Sequence, residues 1–264
     1  MFSNVFAKSV WDQRRSLVSW SIGLAVLVIV MAALWPSFRG MPELDEFLSN
    51  YPEGMRELFN IDAITTGAGY MNAELYSIML PALFIIFAVG KGARMIAGEE
   101  EAGTLEVVLV TPVSRSRIFV EKALSLATGI VTLGIVLFAV TAVMDVVVDL
   151  DLGVGQIAVG SVAMALLGLE HGWLALAIGA ATGRRSLAVG VASTVAVAGY
   201  ALYVMAKFVE AVEPWSPVSP FHQAIESGPL GGGAQLIHLW MLVVGVVFLA
   251  VAAPLFDRRD IAAH

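Results

Sequence analysis

Residues 98–115 read GEEEAGTLEVVLVTPVSR and separate two long apolar stretches, Leu75–Ala97 and Ile118–Met144. Four acids, two glycines and a Thr-Pro step interrupt the apolar sequence here. A connector that only joined two apolar segments would be short and featureless. We therefore expect this connector to contact another surface, while the apolar stretches beside it form the body of the fold.

Six apolar stretches approach the ~20 residues that a helix needs to cross a bilayer. Apolar residues make up 58% of the chain, more than the about half that is usual in soluble domains, and they fall in blocks. The sequence predicts an all-α integral membrane protein with one domain, residues 1–264. Its six transmembrane helices are predicted at Leu17–Trp35, Leu75–Ala97, Ile118–Met144, Val154–Ala181, Leu187–Phe208 and Gln235–Phe256.

The basic residues predict one orientation in the membrane. Only Arg39, Arg56 and Lys207 fall outside the segments that become cytoplasmic when the N-terminus is inside. Because Lys and Arg favour the cytoplasmic side, we expect both termini in the cytoplasm and a multi-pass protein of the cell membrane. The cytoplasmic set is Lys8, Arg14, Arg15, Lys91, Arg94, Arg115, Arg117, Lys122, Arg184, Arg185, Arg258 and Arg259.

Three segments lie outside the predicted spans. Residues 1–16 carry apolar positions at helical spacing, which predicts an amphipathic helix in the inner interface, with a frayed tail as the alternative. Residues 36–74 form an extracytoplasmic loop with two short apolar faces, which serve either as a substrate gate or as packing against the bundle. Residues 209–234 form a second outer loop, whose prolines and Gly231-Gly232-Gly233 run predict a turn-rich cap.

The connector itself, residues 98–116, predicts a short cytoplasmic helix. Gly98 and Gly103 permit a sharp entry, Pro112 ends the helix, and Ser114 starts the next span as an N-cap. Its apolar side is formed by Leu105, Val108 and Leu109. A helix fixed between two spans transmits a push to both of them.

This connector resembles the first cytoplasmic loop of ABC-2-type permeases, the membrane subunits of ATP-driven exporters. The family pattern is a run of Glu, then Gly-Thr-Leu-Glu, then Pro-Val-Ser-Arg after a few apolar residues. In that family the loop carries the coupling helix, which sits in a notch of the nucleotide-binding subunit. The resemblance implies ATPase-coupling roles for Glu99, Glu100, Glu101, Gly103, Thr104, Leu105, Glu106, Val108, Leu109, Pro112, Ser114 and Arg115.

The resemblance also implies partners. The sequence has no Gly-x4-Gly-Lys-[Ser/Thr] phosphate loop, so we expect ATP and Mg on a separate ABC ATPase subunit and no cofactor on this chain. Six spans would form half a pathway, which implies a second permease copy or a paralogue within the lipid bilayer. We expect no nucleic-acid partner. Two other functions stay open: a membrane scaffold, which would not need the acidic connector, and a membrane-embedded enzyme.

Polar groups inside the spans are the remaining candidates. The fourth predicted span holds Glu170, which points nearly opposite a stripe of small residues that would admit a closely packed helix, and His171, one position further round the helix. A charged Glu facing lipid is costly, so Glu170 either lines a pathway or makes a structural hydrogen bond at a helix interface. The enzyme hypothesis would use Glu170 and His171 as acid and base. The stripe is Ser161, Ala165, Gly168, Gly172, Ala175, Gly179 and Gly183.

Overall fold

The structure is a computed structural model that describes residues 4–39, 66–105 and 113–259. Within these ranges every regular element is helical. Two π-helical turns, Asn72–Tyr76 and Arg94–Gly98, flank the third α-helix, and a 3-10 turn, Glu213–Val218, precedes the eighth. The α-helices are α1 (Val5–Phe38), α2 (Gly67–Met71), α3 (Met79–Ala93), α4 (Glu99–Glu101), α5 (Arg115–Val148), α6 (Val154–Thr182), α7 (Arg185–Ala206), α8 (Pro220–Ile225) and α9 (His238–Arg258).

Six of the described helical runs are long and apolar enough to cross a membrane, which confirms the predicted fold class. They are α1, the run from α3 to α4, α5, α6, α7 and α9. Both α1 and α5 contain 34 residues, or about 50 Å at ~1.5 Å per residue. Since the hydrocarbon core is only ~30 Å thick, each of these two helices must tilt or project beyond it.

Helix α6 is the centre of the bundle. In the most apolar 18-residue stretch of α6, 78% of the residues are buried. The corresponding fraction is 17% for α1 and 22% for α7 and for α9. It packs against α3, α5, α7 and α9. The closest approach is to α3, where a methyl group at Gly172 would lie 2.9 Å from the Cβ of Ala88, and one at Gly92 would overlap the carbonyl oxygen of Gly172. Gly168, Gly172 and Gly179 of the stripe therefore form the surface on which α3 packs, whereas Ser161 and Ala165 face Gly134 of α5.

The predicted separate interfacial helix, residues 1–16, differs from the observed structure. Helix α1 runs without a break from Val5, where the Asn4 side chain caps it. Its first turns pack along α5: the Gln13 amide donates to the Ser125 carbonyl oxygen at 2.8 Å, and the Phe6 backbone N–H donates to Glu121 at 2.9 Å. The helix stays continuous because no Gly or Pro occurs before Gly23 and because α5 accepts the hydrogen bonds of the Gln13 amide and the Phe6 N–H.

The second span begins with a break in the helix. The π-helical turn ends at Tyr76, and Ile78, with φ −141°, precedes α3. Pro81 therefore lies in the first turn of α3, where its missing N–H removes no helical hydrogen bond. At this proline the structure therefore starts a new helix and does not kink an existing one.

The two loops that were predicted to be extracytoplasmic meet at the end of the bundle opposite α4. The Asn72 side chain accepts a hydrogen bond from the Leu230 backbone N–H at 3.2 Å, which joins the first loop to the second. Ser219 caps α8, and the Phe221 ring lies 5.1 Å from that of Tyr200. The second loop is thus built of turns and short helices. The two short apolar faces expected in the first loop fall on residues 40–65, outside the described residues.

Candidate functional site

The acidic connector begins where four chain segments come together: α4, the first turns of α5, the turn between α6 and α7, and the end of α9. We call this region the basic end of the bundle. Its basic residues on the helix ends are Arg115, Arg117, Arg184, Arg185, Arg258 and Arg259.

Glu99 is bound to the third span. Its carboxylate lies 2.6 Å from the Lys122 ammonium group, two turns into α5. The Lys122 side chain is 1% exposed. A cation buried to this degree needs a counter-charge, and Glu99 supplies it.

Glu100 and Glu101 are bound to other helices. Glu100 forms an ion pair with Arg259, directly after α9. Glu101 accepts a hydrogen bond from the backbone N–H of Arg185, the first residue of α7, at 2.9 Å. Gly183, with φ +69°, turns the chain beside the Glu100–Arg259 pair, and a side chain there would collide with both groups. The three consecutive acids therefore contact α5, α9 and α7 in turn.

The chain turns sharply after α4. Gly103 has φ +68° and its N–H donates to the Glu100 carbonyl oxygen at 2.9 Å. The Thr104 hydroxyl donates to the Glu99 carbonyl oxygen at 3.1 Å. Leu105 is then fully buried in the apolar core. Leu105 was predicted to lie on the apolar side of the connector helix, with a role in ATPase coupling, but its side chain packs inside this subunit.

The returning side of the connector is also attached to the bundle. Ser114 is the N-cap of α5, as predicted, and accepts from the Arg117 backbone N–H. The Arg115 guanidinium donates to the Arg259 carbonyl oxygen, and Ser116 hydrogen-bonds to Asp257. The candidates Glu106, Val108, Leu109 and Pro112 lie outside the described residues.

Glu170 faces α9. A Cβ built on Gly245 would lie 3.5 Å from the Glu170 Cα, and the neighbouring Trp173 ring packs on the same glycine. Glu170 is 7% exposed, and its Oε2 has no hydrogen-bond partner among the described residues. The side chain is thus enclosed by protein, as expected for a group that is too costly to leave in lipid.

His171 points elsewhere. Its Nδ1 lies 2.9 Å from the Leu167 carbonyl oxygen, and its ring meets Phe221 of α8 edge-on at 6.2 Å. In the described part of the chain no hydrogen bond joins His171 to Glu170, and no group of three or more metal-binding side chains occurs. An acid–base pair formed by these two residues has no support in this geometry.

Sequence reasoning missed the partners of the acids: Lys122, Arg185 and Arg259. One signal was available for Lys122, because a single Lys inside the predicted span Ile118–Met144 requires a buried counter-charge. Arg259 gave no such signal, since it lies 159 residues from Glu100 along the chain. Its pairing depends on how the helices pack.

Comparison with known proteins agrees with the loop pattern and the six spans. The model of the family described as "ABC-2 family transporter protein" matches residues 3–261, nearly the whole chain. No curated protein matches the chain. The family implies a membrane subunit of an ABC transporter, with an ABC ATPase as its general kind of partner. The chain therefore belongs to the ABC-2 family of transporter proteins and is a multi-pass protein of the cell membrane.

Proposed function

We propose that this chain is the permease subunit of an ATP-driven exporter. A separate ABC ATPase would bind and hydrolyse ATP with Mg, and the acidic connector would carry its movement into the spans. Membership of the ABC-2 family supports this role over that of an enzyme or a scaffold. The outward direction of transport follows from the resemblance of the 98–115 sequence to exporter permeases.

The anchoring of the connector at both ends is the observation that carries the proposal. The connector is anchored at Leu105, which is fully buried, and again at Ser114, the N-cap of α5. Residues 106–112 thus join two fixed points, one on the second span and one on the third. A force on these seven residues would reach both spans directly, as a coupling element requires.

A second copy of the chain is the proposed partner within the membrane. Helix α7 is buried along a narrow edge formed by Ala188, Ala192, Ala196 and Tyr203. Its exposed side carries Ser186, Gly190 and Thr194 at four-residue spacing. Small and polar residues at this spacing suit close packing against another helix better than contact with lipid. We place the second copy, and the path between the copies, along this side of α7.

Affinity purification tests the proposal. A tagged chain, recovered at native expression level after cross-linking in its own membrane, should bring with it a P-loop ATPase identified by mass spectrometry. The matched control replaces residues 106–112 by a Gly-Ser segment of equal length, which should leave the chain in the membrane without the ATPase. Recovery of the intact chain with no ATPase would contradict the proposal.

A further inference from the structure

We infer that Glu99, Glu100 and Glu101 form an internal clasp that holds α4 to three other spans, and that the ATPase does not dock on these acids. We call these three residues and their partners Lys122, Arg259 and the Arg185 N–H the acidic clasp. Its intramolecular part follows from this chain's geometry, whereas its part in coupling rests on the proposed function.

The first argument is that each acid already has a partner. The Glu99 carboxylate binds the ammonium group of Lys122 at 2.6 Å, and Glu100 binds the Arg259 guanidinium. Glu101 accepts the N–H of Arg185 at 2.9 Å. Glu99 or Glu100 could dock on a basic surface of the ATPase only by releasing its partner, and release of Glu99 would leave Lys122 as a buried, unpaired cation.

The second argument is burial. The side chains of Glu100 and Arg259 are 19% and 16% exposed, and those of Glu99 and Lys122 are 26% and 1% exposed. By contrast, the Lys8–Asp12 pair on α1 is about half exposed at both residues. Exposed pairs contribute little to stability, and enclosed pairs are strongly coupled. The two enclosed pairs of the clasp therefore fix relative positions, as a mechanical link must.

The third argument concerns how motion would pass through the clasp. The π-helical turn Arg94–Gly98 lies between α3 and α4, and such turns are local irregularities of the helix. Glu99, Glu100 and Glu101 then join α4 to α5, α9 and α7. A displacement of the connector would thus pull on three spans besides the one that leads into it. The acids act as positioning residues, and the remaining connector residues 106–112 are left to contact the ATPase.

A charge-swap cycle distinguishes the clasp from a docking contact. Glu100→Arg and Arg259→Glu, each alone, should lower the melting temperature of the solubilised permease, and the double variant should recover most of the loss, because the pair is restored in reverse. If Glu100 instead docks on the ATPase, Glu100→Arg should abolish co-purification, Arg259→Glu should have no effect, and the double variant should not recover. That second pattern would overturn the inference.

The role in coupling needs a readout that stability alone does not change. In the full permease–ATPase complex, Glu100→Gln should alter the kcat of ATP hydrolysis per assembled complex while the KM for ATP stays the same, because ATP binds on the partner. The Glu100→Arg/Arg259→Glu double variant should restore the wild-type kcat. The control Arg39→Gln, in the exposed Arg39–Asp149 pair at the other end of α1, should change neither value. An unchanged kcat in Glu100→Gln would remove the coupling role.

A cysteine pair covers the case in which a charge-reversed single variant fails to fold. The chain has no native cysteine, so Glu100→Cys with Arg259→Cys presents the only two thiols. A short bifunctional thiol reagent should join them within one chain in the membrane, with no ATPase present. Failure to cross-link, while a Glu99→Cys/Lys122→Cys pair does react, would overturn the Glu100–Arg259 contact. If no ATPase co-purifies with the wild type but the cross-link forms, the proposed function fails and the clasp stands.

Discussion

The Lys122 ammonium group lies 2.6 Å from the Glu99 carboxylate at the basic end of the bundle, and the Lys122 side chain is 1% exposed. Glu99 is one residue past the π-helical turn of the second span, and Lys122 lies in the third span. The pair thus joins the two spans that flank the connector. A buried cation and its counter-ion at this position stabilise the arrangement from which the connector leaves the bundle.

Removing one member of this pair should be costly. We expect Lys122→Ala or Glu99→Gln to destabilise the protein by about 3–5 kcal/mol, the usual cost of leaving a buried charge unpaired, with Lys122→Ala at the lower end because the Glu99 carboxylate that it leaves unpaired is partly exposed. Thermal melting of the solubilised protein measures this. Lys8→Ala, in the exposed Lys8–Asp12 pair, is the control and should cost less than about 1 kcal/mol. Equal effects of Lys8→Ala and Lys122→Ala would contradict the burial of Lys122.

The crossing of α3 and α6 should tolerate no added methyl group at Gly92. Because a Cβ there would overlap the backbone oxygen of Gly172, Gly92→Ala should destabilise by about 1–3 kcal/mol, the cost of overpacking. Gly90→Ala is a matched control in the same helix, since nothing lies within 4 Å of a Cβ at Gly90. Melting temperatures of the two variants check this, and a similar small change in both would show that the helices do not cross at Gly92.

Glu170 provides a test of whether a buried carboxyl is kept for stability. Its Oε2 has no partner among the described residues, so Glu170→Leu should leave the stability of the isolated subunit unchanged or raise it by about 1–3 kcal/mol. Glu170→Gln keeps the shape and should be nearly silent in the same melting experiment. A marked loss of stability in Glu170→Leu would reveal a hydrogen bond that this carboxyl makes. A stable Glu170→Leu variant that no longer supports coupled ATP hydrolysis would favour a pathway role.

His222, which lies in α8 within the loop 209–234, should make the stability of the protein depend on pH. Burial lowers the pKa of His222 below its usual range, with Lys207 adding to this effect and Glu226 opposing it. As the pH falls, His222 of the unfolded chain, with a pKa of about 6.5, is therefore protonated before His222 of the folded protein. Stability should be fully present above about pH 6.5 and should fall as the pH drops toward the folded pKa. Melting at about pH 7.5 and about pH 5.5 should show this loss, and His222→Gln should reduce it. An equal loss in His222→Gln would assign the effect to other groups.

The sequence predicts the six spans because each is a block of apolar residues near the length that a bilayer requires. It also predicts the N-cap at Ser114 and the close packing on the stripe of small residues in α6, since both depend on local spacing. The continuity of α1 was not predicted. An amphipathic pattern in residues 1–16 suits a membrane interface and a neighbouring helix equally well, and only the contact of Gln13 with Ser125 distinguishes them.

The candidate site was only partly predictable, for a physical reason. The acids of the connector stand out in an apolar chain, but their partners depend on which helix ends meet. Arg185 and Arg259 are 84 and 159 residues from the acids they bind, so no local pattern relates them. Leu105 shows the same limit. Its helical spacing with Val108 and Leu109 predicted a shared apolar side of the connector helix, whereas the chain turns sharply at Gly103 and the Leu105 side chain is buried in the bundle.

The most direct test of the account is a photo-cross-link from the connector to the ATPase. A photoreactive amino acid at Val108, in the purified complex that hydrolyses ATP, should give a covalent adduct with the ATPase subunit. The same group at Val146, 78% exposed near the far end of α5, should give none. An active complex in which neither Val108 nor Leu109 forms an adduct with the ATPase would contradict the coupling role of this loop.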